Sequence, residues 1–310
     1  MYIRSVSNWH DGSMCLLNDG KVQKHVIAER VSHHKHARVG DEDIHYFNKD
    51  APDNIEISVA SRLNECHHVY HAAHSFYDSG FKEAVCVIVD GMGSEVSLDD
   101  SRFKEGTYGR ESISIYKLTY PLKIDLVYRY VSVPFDNSIT LNNGKTRPSK
   151  RISPALMFQK TCTAWGMNWY DAGKLMAMSA YSSNDVDYDT SIFEIDENDI
   201  REVTLKPEFN TFEEKADFCK WLQKYSQEYV RRLVVQAVEL SGCNNVCLSG
   251  GYFLNCVSNS YIRKNLPKDI KIFIEPICGD DGVSIGLAKL SWYDETKSRK
   301  IILLRLFIMG

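Results

Sequence analysis

The sequence of 310 residues contains no apolar run near the roughly 18 residues that a membrane-spanning helix requires, so neither a membrane span nor a membrane partner is expected. Its opening, MYIRSVSNWHDG, lacks the apolar core of a secretory leader. None of the nine cysteines forms a Cys-x-x-Cys pair, and their number is odd. Reduced thiols in a cytoplasmic protein are therefore expected rather than a disulfide framework. Basic surplus is missing too: the formal net charge is -4, which argues against a general nucleic-acid binder. There is no internal repeat and no low-complexity tract. The nucleotide fingerprints Gly-x-x-x-x-Gly-Lys-Ser and Gly-x-Gly-x-x-Gly are also absent.

What is present is ordinary globular material, 44% hydrophobic and 25% charged, enough to bury a large core. Residues 1–30 read as a strand, a tight turn at His10-Asp11-Gly12 and two further strands. Cys66 to Asp78 has helical periodicity, and Ala84 to Asp90 (AVCVIVD) reads as a buried strand ending on a carboxylate. Residues 94–133 alternate as antiparallel strands, and Val133 to Arg151 is a polar stretch expected to be a loop or lid. The longest helix is expected from Phe212 to Leu240. Asn245–Leu248 and Lys271–Ile277 then read as strands, each followed by a glycine turn and a helix, the last helix running through Trp292. This order predicts an α/β architecture with two lobes, roughly 1–150 and 151–295, and a separate apolar tail over 296–310.

Three groups of residues carry chemistry. His67 and His71 stand four apart in CHHVYHAAHSF, a helical spacing that stacks two imidazoles within reach of one metal ion. His68 and His74 do not share that face, and His33, His34 and His36 read as a chance cluster in a polar loop. Asp90 and Asp280 stand at strand ends, where open α/β sheets gather their ligands. Two imidazoles and two carboxylates make a mixed shell suited to Fe(II), Mn(II) or Zn(II). Ser249-Gly250-Gly251, between a strand and a helix, would offer bare amides to an anion. His10-Asp11-Gly12-Ser13 would close over the same anion from the other side.

In order along the chain, these pieces resemble the antibiotic and nodulation-factor O-carbamoyltransferases, the NodU/CmcH family. The motifs are NWHDGSMCLLNDGKV, AERVSHHKH, CHHVYHAAHSFYDSGF, VDGMGSE, DAGKLMAMSAY, LSGGYFLNCVSN and GDDGVSIGLA. The resemblance implies an actin-like, sugar-kinase-type α/β fold with mixed sheets and flanking helices. It implies one metal, Fe(II) first, held by His67, His71, Asp90 and Asp280. Its transfer residues fall on His10 with Asp11 beside it, and on Lys35 near the carbamoyl donor. Its nucleotide residues fall on Gly250, Gly251, Asn255, Gly173 and Lys174.

The activity implied is transfer of a carbamoyl group from carbamoyl-adenylate, made from ATP and carbamoyl phosphate, to a hydroxyl of a small-molecule, sugar or nucleoside acceptor. Members of that family continue into a carbamoyl-adenylate-forming domain. Such a domain is not expected within these residues, so a separate protein is the expected source of the intermediate. Two other readings stand beside this one. A tRNA threonylcarbamoyl transferase shares the paired histidines, although the double start His67-His68 favours the small-molecule family. A catalytically silent ATP-binding scaffold is the other.

Overall fold

The computed structural model describes residues 1–61, 66–97, 108–132, 146–149, 152–195, 203–206 and 208–308. The first sheet is built from β1 (Tyr2–Ser7), β2 (Ser13–Asn18) and β3 (Lys21–Ile27), joined as antiparallel hairpins. Two short helices follow, α1 (Ala28–Ser32) and α2 (Asp41–Asn48), before β4 (Ile57–Ala60) adds itself parallel to β1. The order is β3-β2-β1-β4.

Helix α3 (His67–Ser79) leads into β5 (Glu83–Val89), and β6 (Glu95–Ser97), β7 (Tyr108–Thr119) and β8 (Lys123–Ser132) continue as antiparallel neighbours. Strand β9 (Thr146–Ser149) pairs parallel with β8. The expected loop over Val133 to Arg151 is corrected at these four residues, while 133–145 and 150–151 lie outside the described residues. Helices α4 (Pro154–Ala164) and α5 (Ala172–Met178), the short hairpin β10 (Phe193–Ile195) and β11 (Val203–Leu205), and α6 (Phe212–Ser241) come next. Strand β12 (Asn245–Ser249), α7 (Cys256–Asn265), β13 (Lys271–Ile274) and α8 (Val283–Ile308) complete the chain.

The second sheet runs β13-β12-β5-β7-β8-β9, with β6 beside β7. Strands β13, β12 and β5 are mutually parallel. The expected division at residue 150 therefore falls inside one sheet, because β12 and β13 from beyond it hydrogen-bond onto β5 from before it. Likewise residues 296–308 are not a separate tail but the continuation of α8.

Side-chain alternation explains the layering. On β5, Ala84, Cys86 and Ile88 pack with Ala72 and Phe76 of α3 on one face. Val85, Val87 and Val89 point the other way, into the cluster shared with Phe218, Leu222 and Val234 of α6. Between the sheets, α8 lays Ile285 and Ala288 on Ile3, Cys15 and Leu17 of the first sheet. Burying a side chain such as Phe76 or Ile88 completely contributes about 1.5–3 kcal/mol. Helix α6 begins on a capping box, with Thr211 accepting from the Glu214 amide, and ends on Gly242 at φ 64°. All nine cysteines are free thiols. No helix among the described residues is long and apolar enough to cross a membrane.

Helices α3 and α8 touch backbone to side where Gly286 stands: a Cβ there would collide with the Tyr70 carbonyl of α3. Replacing Gly286 with leucine is therefore expected to destabilise the fold by about 1–3 kcal/mol or more. Denaturant unfolding with an unchanged slope would record it, and a neutral effect would show that the helices can separate freely.

Candidate active site

The three parallel strands converge on one point. Asp90 follows β5, Ser249 ends β12 at the Gly250-Gly251 turn, and Asp280 opens the turn that feeds α8. Helix α3 presents its first two turns to the same point. Its start is unusual: Cys66 is left-handed at φ 58° and caps nothing, and the His67 amide instead donates to Ser94 Oγ at 2.9 Å. Helix α8 is fixed over the site by serine contacts, with Ser5 Oγ donating to the Ser284 carbonyl at 2.6 Å and Ser13 Oγ 2.8 Å from Ser284 Oγ.

These elements bring His67, His71, Asp90 and Asp280 together, with one ligand atom from each within 4.8 Å of the others. The two Nε2 atoms of His67 and His71 are 3.2 Å apart. Asp280 Oδ1 lies 3.3 Å from each of them, and His67 Nε2 lies 3.4 Å from Asp90 Oδ2. Outside the cluster, His71 Nδ1 meets Ser249 Oγ at 3.3 Å and Asp90 Oδ1 accepts from the Gly251 amide at 3.1 Å. Burial disfavours charge on His67, but the Asp280 and Asp90 carboxylates outweigh it and raise its pKa well above the usual imidazole value. Burial and the Asp280 charge push Asp90 upward, yet the neighbouring histidines hold it down at about 2. Asp280 is likewise held well below the carboxylate range by His67 and His71 against the effect of burial.

The donor set fits a metal ion. Bonds of about 2.0–2.1 Å in a tetrahedral shell place ligand atoms about 3.4 Å apart; four of the six ligand pairs lie at 3.2–3.4 Å, and all lie within 4.8 Å. The outward atoms of His71 and Asp90 are already anchored, as ligands of a metal ordinarily are. A different cluster, His74, Asp78 and Glu275, does not fit: the Lys289 ammonium already pairs with Asp78 there. His68 stands apart as well, buried against Ser114 Oγ at 2.8 Å, with burial lowering its pKa to about 4.

His10 reaches the same point from the β1–β2 turn. Its Nε2 is 3.3 Å from Asp280 Oδ2 and its Nδ1 is 3.0 Å from Asp11 Oδ2. Burial lowers its pKa, but the Asp11 hydrogen bond and the Asp280 charge prevail and raise it. Above these groups opens a cavity of about 430 Å³, walled by Phe158, Trp169, Tyr170, Tyr252 and Leu254.

Of the other residues singled out in the sequence, Asp11, Gly173, Gly251 and Asn255 line this cavity. Asn255 spends its side chain on the start of α7, accepting from the Ser258 amide at 3.0 Å, and on Gln223. Lys35 lines a neighbouring cleft of about 590 Å³, and Lys174 pairs with Asp171 at 2.9 Å on the surface. The expectation of bare amides at the glycine turn is corrected. The Gly250 amide donates to the Cys278 carbonyl at 2.9 Å and that of Gly251 to Asp90, so the turn aims a carboxylate. Gly250 is required for its backbone, at φ 102° and against the Val89 carbonyl. His36, set aside as part of a chance cluster, lines the cavity, with Nδ1 2.8 Å from Asp11 Oδ1 and its ring stacked on Tyr170 at 3.7 Å. Its place beside Lys35 in the AERVSHHKH motif was the available signal.

Mixed sheets flanked by helices, with the site at the ends of the parallel strands, define an α/β fold of the actin-like, sugar-kinase type. The chain is similar in fold to the crystal structure of T. kodakarensis HypF, with a TM-score of 0.53 and 14% identity over 95% of this chain and 48% of that one. The sequence pattern described as Carbamoyltransferase N-terminus matches residues 54–289, and the chain belongs to that family. It is 24% identical to the uncharacterized protein sll1178 of Synechocystis sp., over 76% of this chain and 37% of that protein. It is 23% identical to the uncharacterized protein MJ1058 of Methanocaldococcus jannaschii, over 72% and 36% respectively. The chain thus spans little more than a third of the length of these relatives. The matched residues include His67, His71, Asp90 and Asp280, while the turn of His10 and Asp11 precedes them.

The hydroxyl of Ser94 takes the place of a helix cap for α3. Changing Ser94 to alanine leaves the His67 amide without that acceptor and is expected to cost about 1 kcal/mol, the usual scale of a lost cap. Equilibrium unfolding measures this directly, and an unchanged midpoint would show that the bond contributes nothing to holding the first turn.

Proposed function

We propose that this chain performs metal-dependent transfer of a carbamoyl group to an acceptor hydroxyl, as the acceptor-binding part of an O-carbamoyltransferase of the NodU/CmcH type. The observation that carries the reading is the juxtaposition of His10 with Asp280 at the edge of the four-residue donor cluster, on the floor of an aromatic-walled cavity. His67, His71, Asp90 and Asp280 would hold the ion, with Fe(II) the first choice and Mn(II) or Zn(II) the alternatives for such a mixed shell. When bound, the divalent ion would polarise the carbamoyl carbonyl and offset the carboxylate charges that raise His10.

The chain's own residues supply the rest. Asp11 accepts from His10 Nδ1, which leaves Nε2 to take the proton of the acceptor hydroxyl. The hydroxyl oxygen bonds to the carbamoyl carbon as the bond from that carbon to the adenylate phosphate oxygen breaks, releasing AMP. The adenylate would lie along Gly251, Asn255 and Gly173, where the missing side chains of the glycines permit close approach. Phe158, Trp169 and Tyr252 exclude water from the reacting groups. Carbamoyl-adenylate, formed from carbamoyl phosphate and ATP, would be the donor.

Two measurements test the reading. Purified chain should bind about one transition metal, and His67→Ala and His71→Ala should each remove most of it in elemental analysis. Full metal content in both variants would overturn the assignment. Mixed with a carbamoyl-adenylate-forming protein, ATP, carbamoyl phosphate and a panel of hydroxyl compounds, the chain should yield a carbamoylated product by mass spectrometry. His10→Asn keeps the size and one hydrogen bond but removes the base, so single-turnover transfer should fall roughly a hundredfold or more with metal content unchanged. Transfer by His10→Asn at the parent rate would exclude His10 as the base.

A further inference from the structure

Asp11 is shared. One of its carboxylate oxygens meets His10 Nδ1 at 3.0 Å and the other meets His36 Nδ1 at 2.8 Å. An ionised carboxylate only accepts hydrogen bonds, so both imidazoles must present an N–H to it through Nδ1. A neutral ring bonded to Asp11 at either position therefore carries its proton on Nδ1, and Nε2 of His10 then faces Asp280 Oδ2 at 3.3 Å. Asp11 and His36 are also both left-handed without being glycine, at φ 55° and 57°. Such backbone persists only where surrounding contacts over-determine it.

Those contacts are on view. The Gly12 amide donates to the Ala37 carbonyl at 2.9 Å, and the amide of His36 donates to Glu29 Oε2 at 3.1 Å. A Cβ on Gly12 would strike the Val39 amide, so the two loops lie backbone against backbone. The far side of His36 is held by an aromatic stack, with Tyr170 3.7 Å from the His36 ring and 3.7 Å from Trp169. His36 and Tyr170 line both the main cavity and the cleft that contains Lys35 and Glu29, so this stacked pair is the partition between them.

From this geometry we infer that His36 is a positioning residue for transfer: it pins Asp11, which in turn holds His10 in its Nδ1–H tautomer with Nε2 directed at the reacting hydroxyl. The inference rests on the reading of His10 as the base, but its structural half can be measured without any turnover. Without His36, one oxygen of Asp11 is unpaired beside a strained backbone, and the carboxylate is free to turn away from His10. Asparagine at the same position would restore the bond, because its amide nitrogen lies where imidazole Nδ1 lies and because asparagine tolerates left-handed backbone. Alanine would do neither.

The test compares the parent with His36→Ala and His36→Asn. In zinc-loaded protein labelled with nitrogen-15 in its histidines, at a pH high enough for the His10 ring to be neutral, long-range proton–nitrogen correlations report which ring nitrogen of His10 carries the proton. The parent should show His10 protonated at Nδ1, His36→Ala should lose that single pattern, and His36→Asn should recover it. In the transfer assay His36→Ala should lower kcat by roughly ten- to hundredfold with KM little changed, the usual scale for loss of a residue that orients another. His36→Asn should return most of that rate. A His10 signal unchanged in a folded His36→Ala, or lost equally in both variants, overturns the inference. A His10 pattern that is lost with alanine and restored with asparagine, while transfer stays at the parent rate, overturns the part of the inference that assigns this geometry to catalysis. That same result would also count against His10 as the base.

Discussion

Two carboxylates buried side by side repel each other and forgo hydration, so they stay there only where positive charge and hydrogen-bond donors are set against them. Asp90 and Asp280, each 8% exposed, meet at the centre of this molecule under that constraint. The imidazoles of His67 and His71 answer it in part, through contacts of 3.3–3.4 Å. They answer it incompletely, because their Nε2 atoms also face one another at 3.2 Å and cannot both direct a proton at every neighbour. A divalent cation would resolve all of these contacts at once.

The fold meets this demand by bringing four chain segments to one place without a long loop. Asp90 and the Gly250-Gly251 turn leave adjacent parallel strands, so their separation is set by the sheet itself. Helix α3 packs on the face of that sheet through Ala72 and Phe76, and the small residue at Gly286 lets α8 approach α3 directly. Asp280 enters just before α8. Rigid elements thus define the positions of all four donor residues, which is what a site accurate to a fraction of an ångström requires.

Features written in local pattern were legible in the sequence. The opening hairpins, the buried strand before Asp90, the helix with its paired histidines and the long helix after Thr211 all follow from period-2 or period-3.6 burial and from caps, and all are seen. The meeting of His67, His71, Asp90 and Asp280 was legible from helical spacing and from carboxylates at strand ends. Long-range pairing was not. Nothing local to Asn245 or Lys271 says that their strands join β5 across the middle of the chain. Nothing local to Gly251 says that its amide would be taken by a carboxylate 161 residues away. His36 had only its place beside Lys35 to mark it, since its contact with Asp11 spans 25 residues.

The division of labour at Asp11 and Asp280 follows from what each carboxylate can reach. His10 touches both, one through each ring nitrogen. A neutral imidazole can donate from only one of its nitrogens, so it cannot satisfy both carboxylates without a second proton. Asp11, tied to His36 as well, is the better-anchored acceptor, and Asp280 already has His67 and His71. The neutral ring therefore donates its Nδ1–H to Asp11 and leaves Nε2 facing the ionised Asp280. That contact is repulsive until a proton arrives on Nε2 or positive charge engages Asp280. Burial lowers the pKa of the ring, but the Asp11 hydrogen bond first and the Asp280 charge second outweigh it and raise it.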